Sequence, residues 1–203
     1  MIRFERVGAA RLAVATISGL RGIHADAARD LSSTERERWR GLPDGRADEL
    51  LLGRHLLRAL VRRERRLTTG EPVAVVACCR TCGGPHGRPE LPEGDLHASI
   101  AHAGELVVAA VLPSSAGRGV GVDVEPIAGG AHADPAAAQE ATRAWTRYEA
   151  AAKACGIGVG ANRGETAPAA LVALVDALPG PVEIADLDEP GHALAVAVRR
   201  WTS

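Results

Sequence analysis

VGVDVEPI, residues 120–127, alternates as a strand does: Val120, Val122 and Val124 share one face, and Gly121, Asp123 and Glu125 share the other. Neighbours on one face of a strand stand about 6.5 Å apart. Two carboxylates at that distance repel by roughly 2.5 kcal/mol at an effective dielectric of 20, and by about 0.6 kcal/mol in open water. A strand this apolar therefore either turns its acids to bulk solvent or holds them around a cation. Around it the chain offers further strands and two strongly periodic helices, which reads as an α+β protein.

The bulk properties restrict the function. The 203 residues carry a net charge of −1, so no global field recruits nucleic acid, and no apolar run approaches the length a membrane span needs. The first residues, MIRFERVGAARLAVATISG, carry a charge in their middle and read as the start of a strand, not as a cleavable signal. Cys78, Cys79, Cys82 and Cys155 do not form a secreted disulfide framework in a chain of this size, which points to the cytoplasm. Trp, Tyr and Phe together number five, so Ala, Val and Leu must build the core.

Two halves follow from the pattern. Residues 1–112 offer a strand (10–18), a helix announced by the capping-box pair Ser32 and Glu35, and a long helix (47–66). A Gly/Pro-rich loop, then HASIAHAG and the apolar run ELVVAAVLP complete this half. The segment PSSAGRG, 113–119, reads as a junction. Residues 119–203 bring the acidic strand, an Ala-rich stretch, the helix AWTRYEAAAKACG, and two strands over 180–188 and 192–201. On the 47–66 helix, Arg54, Arg58, Arg62 and Arg65 fall largely apart from the leucines. They read as a solvated face, or alternatively as a docking surface for an acidic partner.

Several side chains carry candidate chemistry. Glu149 and Lys153 lie one helical turn apart, the spacing of an ordinary surface pair. Yet Lys153 is the one lysine among 24 basic residues, and a compact ammonium suits a phosphoryl oxygen. His102 follows Ser99 ahead of an apolar strand, and Arg46, Arg80 and Arg88 read either as surface charges or as a phosphate cradle. Cys79-x-x-Cys82 invites a zinc or redox reading; with His86 and Cys78 close by but no second pair at convincing spacing, it receives no role here.

In order along the chain, LSSTERERWRGL (31–42) with LLLGRHLLRALV (50–61), CGGPHGRPEL (82–91), SIAHAGELVVAAV (99–111), GVGVDVEPI (119–127) and WTRYEAAAKACGIG (145–158) resemble the motifs of the surfactin-synthetase-activating type of 4′-phosphopantetheinyl transferase. The resemblance implies two similar α/β halves forming a pseudo-dimer. The first half would contact the coenzyme A nucleotide and the second would carry the metal site and catalytic helix. It implies transfer of phosphopantetheine from coenzyme A to a serine of an acyl or peptidyl carrier protein, by a cytoplasmic monomer. By position, Asp123, Glu125 and Glu149 would hold Mg²⁺ or Mn²⁺ against the coenzyme A pyrophosphate. Glu149 would take the serine proton, Lys153 would stabilise the phosphoryl oxygens, and Arg46, Arg80, Arg88 and His102 would clasp the nucleotide end.

The chain also departs from the family's pattern. Ala101 and Ala103 flank His102 where serines are usual, and Tyr148 stands where a lysine precedes the catalytic glutamate. Asp48 and Glu49 occupy the turn that usually holds an arginine, and only 24 positions separate Glu125 from Glu149. The stretch GGAHADPAAAQEATRA reads as a flexible replacement for a helix expected in that interval. These departures keep an alternative open: a protein of the same fold that binds coenzyme A or a carrier without transfer, or that acts on another phosphate or thioester substrate.

Overall fold

The computed structural model describes residues 1–79, 82–127, 134–157, 173 and 175–202. Strands β1 (Arg3–Val7), β2 (Ala10–Thr16), β5 (Leu96–Ala103) and β6 (Leu106–Pro113) form an antiparallel sheet in the order β1-β2-β6-β5. A second antiparallel sheet has the order β7-β9-β8, from β7 (Gly119–Pro126), β8 (Val182–Glu189) and β9 (His192–Arg199). A short ribbon, β3 (Val76–Ala77) with β4 (Pro89–Glu90), stands apart from both. Helices α1 (His24–Asp30), α2 (Ser33–Arg40) and α3 (Asp44–Arg65) belong to the first half, and α4 (Pro135–Ala154) to the second. The protein is thus α+β. Among the described residues, no helix is long and apolar enough to cross a membrane.

Alternation along the strands explains the layering. In β2 and β6, Ala13, Val107, Ala109 and Val111 meet Leu51, Leu56, Leu57 and Leu60 of α3. The opposite face of the same strands, with Leu12, Val14, Val108, Ala110 and Leu112, meets Val120, Val122, Val124, Leu194, Val196 and Val198 of the second sheet. The two sheets therefore pack face to face, with α3 outside one and α4 outside the other. The Ser99 hydroxyl on β5 accepts a hydrogen bond from the Val122 amide on β7 at 3.1 Å, a buried polar link between the halves. The residues read as a junction contain a 3₁₀ turn, Ser114–Ala116.

Close approach of α4 to its sheet has a simple cause. A Cβ built on Gly121 would lie 1.9 Å from the Ala150 carbonyl oxygen, and one on Gly119 would lie 2.2 Å from that of Ala154. Ala195 and Ala197 of β9, with Ala150, Ala151 and Ala154 of α4, continue this small-residue seam. The helix begins earlier than the sequence reading had it. Asp134 caps it by accepting from the Ala136 and Ala137 amides, and Pro135 occupies its first turn, so the residues from 135 onward are helical and not a flexible replacement. Residues 128–133 lie outside the described part.

The basic face of α3 needs a second correction. Arg54 and Arg58 are buried, at 4% and 2% exposure, and neither is solvated nor part of a docking surface. Both reach Glu35 of α2: Arg58 Nη2 donates to Oε2 at 2.5 Å, and Arg54 Nε lies 2.9 Å from Oε1. The same carboxylate closes the capping box by accepting from the Ser32 amide at 2.9 Å. One side chain thus caps α2 and latches it to α3. Burial pushes the Glu35 carboxyl up, but the Arg58 hydrogen bond and charge outweigh it, leaving it below its ordinary value.

As the pH falls, the unfolded chain takes this proton first. The contribution to stability is therefore complete above the unfolded value of 4.5 and is lost as the pH falls through the lowered folded value. Glu35→Ala strands two buried guanidiniums and is expected to cost about 3 kcal/mol or more near neutrality. Urea unfolding compared near neutrality and in mild acid checks both statements, because the difference between the two chains should shrink in acid.

Candidate active site

On β7, the residues that face α4 run Gly119, Gly121, Asp123, Glu125. The glycines let the helix settle, and the acids come next, at the end of the seam where Glu149 and Lys153 project from α4. Nearest ligand oxygens of Asp123, Glu125 and Glu149 all lie within 4.8 Å of one another. Lys153 Nζ donates to Asp123 Oδ1 at 2.5 Å and to the Val122 carbonyl at 3.3 Å, and stands 3.7 Å from Glu149 Oε2. The acids of 120–127 thus face a helix and not bulk solvent, and Lys153 supplies a positive charge among them.

Asp123 is buried at 3% exposure, and its Oδ2 has no hydrogen-bond partner. Burial raises its carboxyl to about 8; the Lys153 charge opposes that shift and Glu149 adds to it. A buried acceptor oxygen with no donor, beside two further carboxylates on different elements, suits a hard divalent cation bound through oxygen. The donor set therefore fits Mg²⁺ or Mn²⁺, with Asp123, Glu125 and Glu149 as its protein ligands.

A cavity of about 200 Å³ lies beside α3 and the end of β5, lined by Arg38, Arg46, Glu49, Arg54, Gly87 and His102 among others. Glu49 reaches two of the four expected nucleotide contacts: His102 Nδ1 is 3.4 Å from one of its oxygens and Arg46 Nε is 3.9 Å from the other. Although the His102 side chain is 38% exposed, desolvation of the rest holds its pKa below the ordinary value. Glu49 opposes this, while the positive charges of Arg46 and Lys153 assist it. His102 thus feels the charges of Arg46 and Glu49 beside it and that of Lys153 in the acidic cluster. A larger cavity of about 600 Å³, between α2, α3 and residues 72–77, carries none of the three acids.

Asp123, Glu125, Glu149 and Lys153 come together, as do Arg46 and His102. Arg88 stands at the C-terminal end of α4, where its Nη1 donates to the main-chain carbonyl of Lys153 at 3.1 Å. Arg80 lies outside the described residues. Tyr148 packs its ring against Trp145, with centroids 5.9 Å apart.

Three cavity residues escaped the sequence reading as site residues: Arg38, Arg54 and Glu49. Arg54 and Arg58 share one helix face with a one-turn spacing beside Leu51, Leu57 and Val61, a signal that they border the core. Burial lowers Arg54 to about 10, with Glu35 opposing and the charges of Arg58 and Arg38 assisting. No family model matches the chain, and no curated protein matches it.

Proposed function

We propose that the protein transfers 4′-phosphopantetheine from coenzyme A to a serine hydroxyl of an acyl or peptidyl carrier protein, with Mg²⁺ or Mn²⁺ held by Asp123, Glu125 and Glu149. The observation that carries this reading is the convergence of those carboxylates from β7 and α4, with the partnerless Asp123 Oδ2 among them and Lys153 alongside. The layering supports the finer fold reading as well: each half sets a helix outside an antiparallel sheet, which is what two similar α/β halves forming a pseudo-dimer require.

The chemistry then follows from position and charge. The bound cation would neutralise charge on the pyrophosphate oxygens. Glu149, with a side chain 20% exposed, takes the serine proton directly or through an oriented water. The serine oxygen forms its bond to the phosphorus that carries pantetheine. The bond from that phosphorus to the bridging oxygen breaks, and adenosine 3′,5′-bisphosphate leaves with the electron pair. Lys153, 31% exposed, swings its ammonium from Asp123 toward the phosphoryl oxygens. Arg46 and His102 hold the nucleotide end in the smaller cavity.

Incubation with Mg²⁺, coenzyme A and several apo carrier proteins, including one encoded beside it, should add the phosphopantetheine mass to a carrier serine. Absence of that mass from every carrier, with coenzyme A binding intact, would instead support the second reading, a coenzyme A or carrier binder of the same fold. In either reading Glu49 weakens the nucleotide cradle, because it places a carboxylate on Arg46 and His102, where an anion would sit. Glu49→Gln is accordingly expected to tighten coenzyme A binding about fivefold, close to the 1 kcal/mol of one like-charge contact in water. Calorimetric titration of both chains measures it, and weaker binding by the variant would show that Glu49 orients the cradle.

A further inference from the structure

Ribbon β3–β4 pairs over only two positions, Val76 with Glu90 and Ala77 with Pro89. So short a ribbon has little stability of its own. Yet the loop it closes reaches two distant parts of the molecule. Arg88 donates to the Lys153 carbonyl at 3.1 Å, and the Pro85 carbonyl accepts from Arg38 Nη1 at 3.2 Å. Packing gives the loop little help, because Cys82 and His86 are exposed and Cys79 is only half-buried.

Inside the loop three soft ligands converge. Ligand atoms of Cys79, Cys82 and His86 all lie within 4.8 Å of one another, and Cys82 Sγ is 3.0 Å from His86 Nε2. Main-chain turns bring them there: the Gly83 amide donates to the Cys79 carbonyl at 2.8 Å, and the Cys79 and His86 amides both donate to the Gly84 carbonyl, at 2.9 and 2.8 Å. Gly83 at φ 70° and Gly87 at φ 115° adopt backbone conformations that side-chain-bearing residues rarely take. A Cβ on Gly87 would also lie 3.2 Å from the Cys78 carbonyl, so the loop closes tightly on itself. None of the four cysteines is in a disulfide.

We propose that Cys79, Cys82 and His86 bind one zinc ion, which braces the loop that presents Arg88 to the end of α4. Two thiolates and an imidazole are the ligand set of zinc, and not of the hard cation that suits the carboxylate cluster. Tetrahedral zinc with ordinary bond lengths sets S···N near about 3.5 Å and S···S near about 3.8 Å. The present separations come within about 1 Å of that arrangement, a shift that surface side chains make readily. On binding, both thiol protons leave to solvent. The fourth position falls to a water or to the Cys78 thiol, whose Sγ lies 3.6 Å from the Gly83 carbonyl in the same turn. This inference is independent of the transferase reading, since a zinc-free loop would leave the carboxylate site untouched.

The test uses the full chain. Protein purified from zinc-sufficient medium should contain about one zinc per chain by elemental analysis. Chelator-stripped protein titrated with Co²⁺ should develop thiolate-to-cobalt charge-transfer bands and the intense visible absorption of a tetrahedral ion. Carboxylate ligands give neither, so cobalt at the acidic cluster would not imitate the signal. Cys82→Ser and His86→Ala should each weaken Co²⁺ binding by at least about 100-fold. Wild-type protein that shows no thiolate band, or a Cys82→Ser protein with the wild-type band, would overturn the proposal. Should a variant fold poorly, the wild-type titration decides alone, and a metal-free Cys79–Cys82 disulfide in freshly isolated protein would count equally against it.

Discussion

Gly121→Ala is expected to cost at least about 3 kcal/mol of folding stability, the largest loss we anticipate from any single added methyl group. The new Cβ would stand 1.9 Å from the Ala150 carbonyl oxygen and 2.6 Å from the Ala154 amide nitrogen. Both are main-chain atoms of α4, so no rotamer change relieves the contact. The helix must lift by more than 1 Å to reach ordinary van der Waals separation, which is about 3.4 Å or more. Lifting it opens the seam of Ala150, Ala151, Ala154, Ala195 and Ala197. It also draws Glu149 and Lys153 away from Asp123. Chemical denaturation followed by circular dichroism should show the midpoint falling sharply. Gly45→Ala provides the control, because nothing lies within 4 Å of its added Cβ in the first turn of α3. Equal midpoints for Gly121→Ala and the parent chain would mean that α4 does not lie where described.

The second large effect concerns chemistry and not folding. In the proposed transferase, Asp123→Asn should reduce turnover by about 10³-fold or more, since several kcal/mol of charge stabilisation depend on the cation it holds. Stability should be kept or should rise. The parent carboxylate is buried with Oδ2 lacking a donor, a costly arrangement that the neutral amide relieves at nearly constant volume. Functional groups often destabilise the fold that carries them, and the opposite signs of the two effects are the signature sought here. Steady-state transfer rates and a thermal melt of the same preparation check both. Near-parental turnover would remove Asp123 from the metal site. A large fall in melting temperature would instead make it a structural residue held by Lys153.

Much of the framework can be read from local pattern. The valines of β7 alternate, and the strand forms over Gly119–Pro126 with those valines in the core between the sheets. Ser32 and Glu35 announce the start of α2, and the capping box is present there. What the pattern conceals depends on neighbours distant in sequence. Gly119 and Gly121 read locally as weak strand residues, and their purpose emerges only when α4 lies against them. Arg54 and Arg58 border the core on a helical wheel but read as solvated charges, because the carboxylate that accompanies them inward comes from another helix.

The start of α4 was legible in principle. Asp134 followed by Pro135 is a capping residue with a favoured first-turn residue, but the Gly, Ala and His around it suggest a loop. Motif order points to the acidic cluster, whereas the position of Glu49 between Arg46 and His102 depends on how α3 lies against β5. Convergence of Cys79, Cys82 and His86 likewise depends on turns that a linear spacing does not encode.

The glycine and alanine seam under α4 has a consequence for how this protein can change over time. Bulky cores can trade one side chain for another and let the surrounding elements drift by fractions of an ångström. Here hardly anything lies between peptide planes that could be traded, so the gap spanned by Asp123 and Glu149 is dictated by atomic radii. Descendants of this chain are free to vary the loops around that gap, and so the molecules admitted to it, while its width stays nearly invariant.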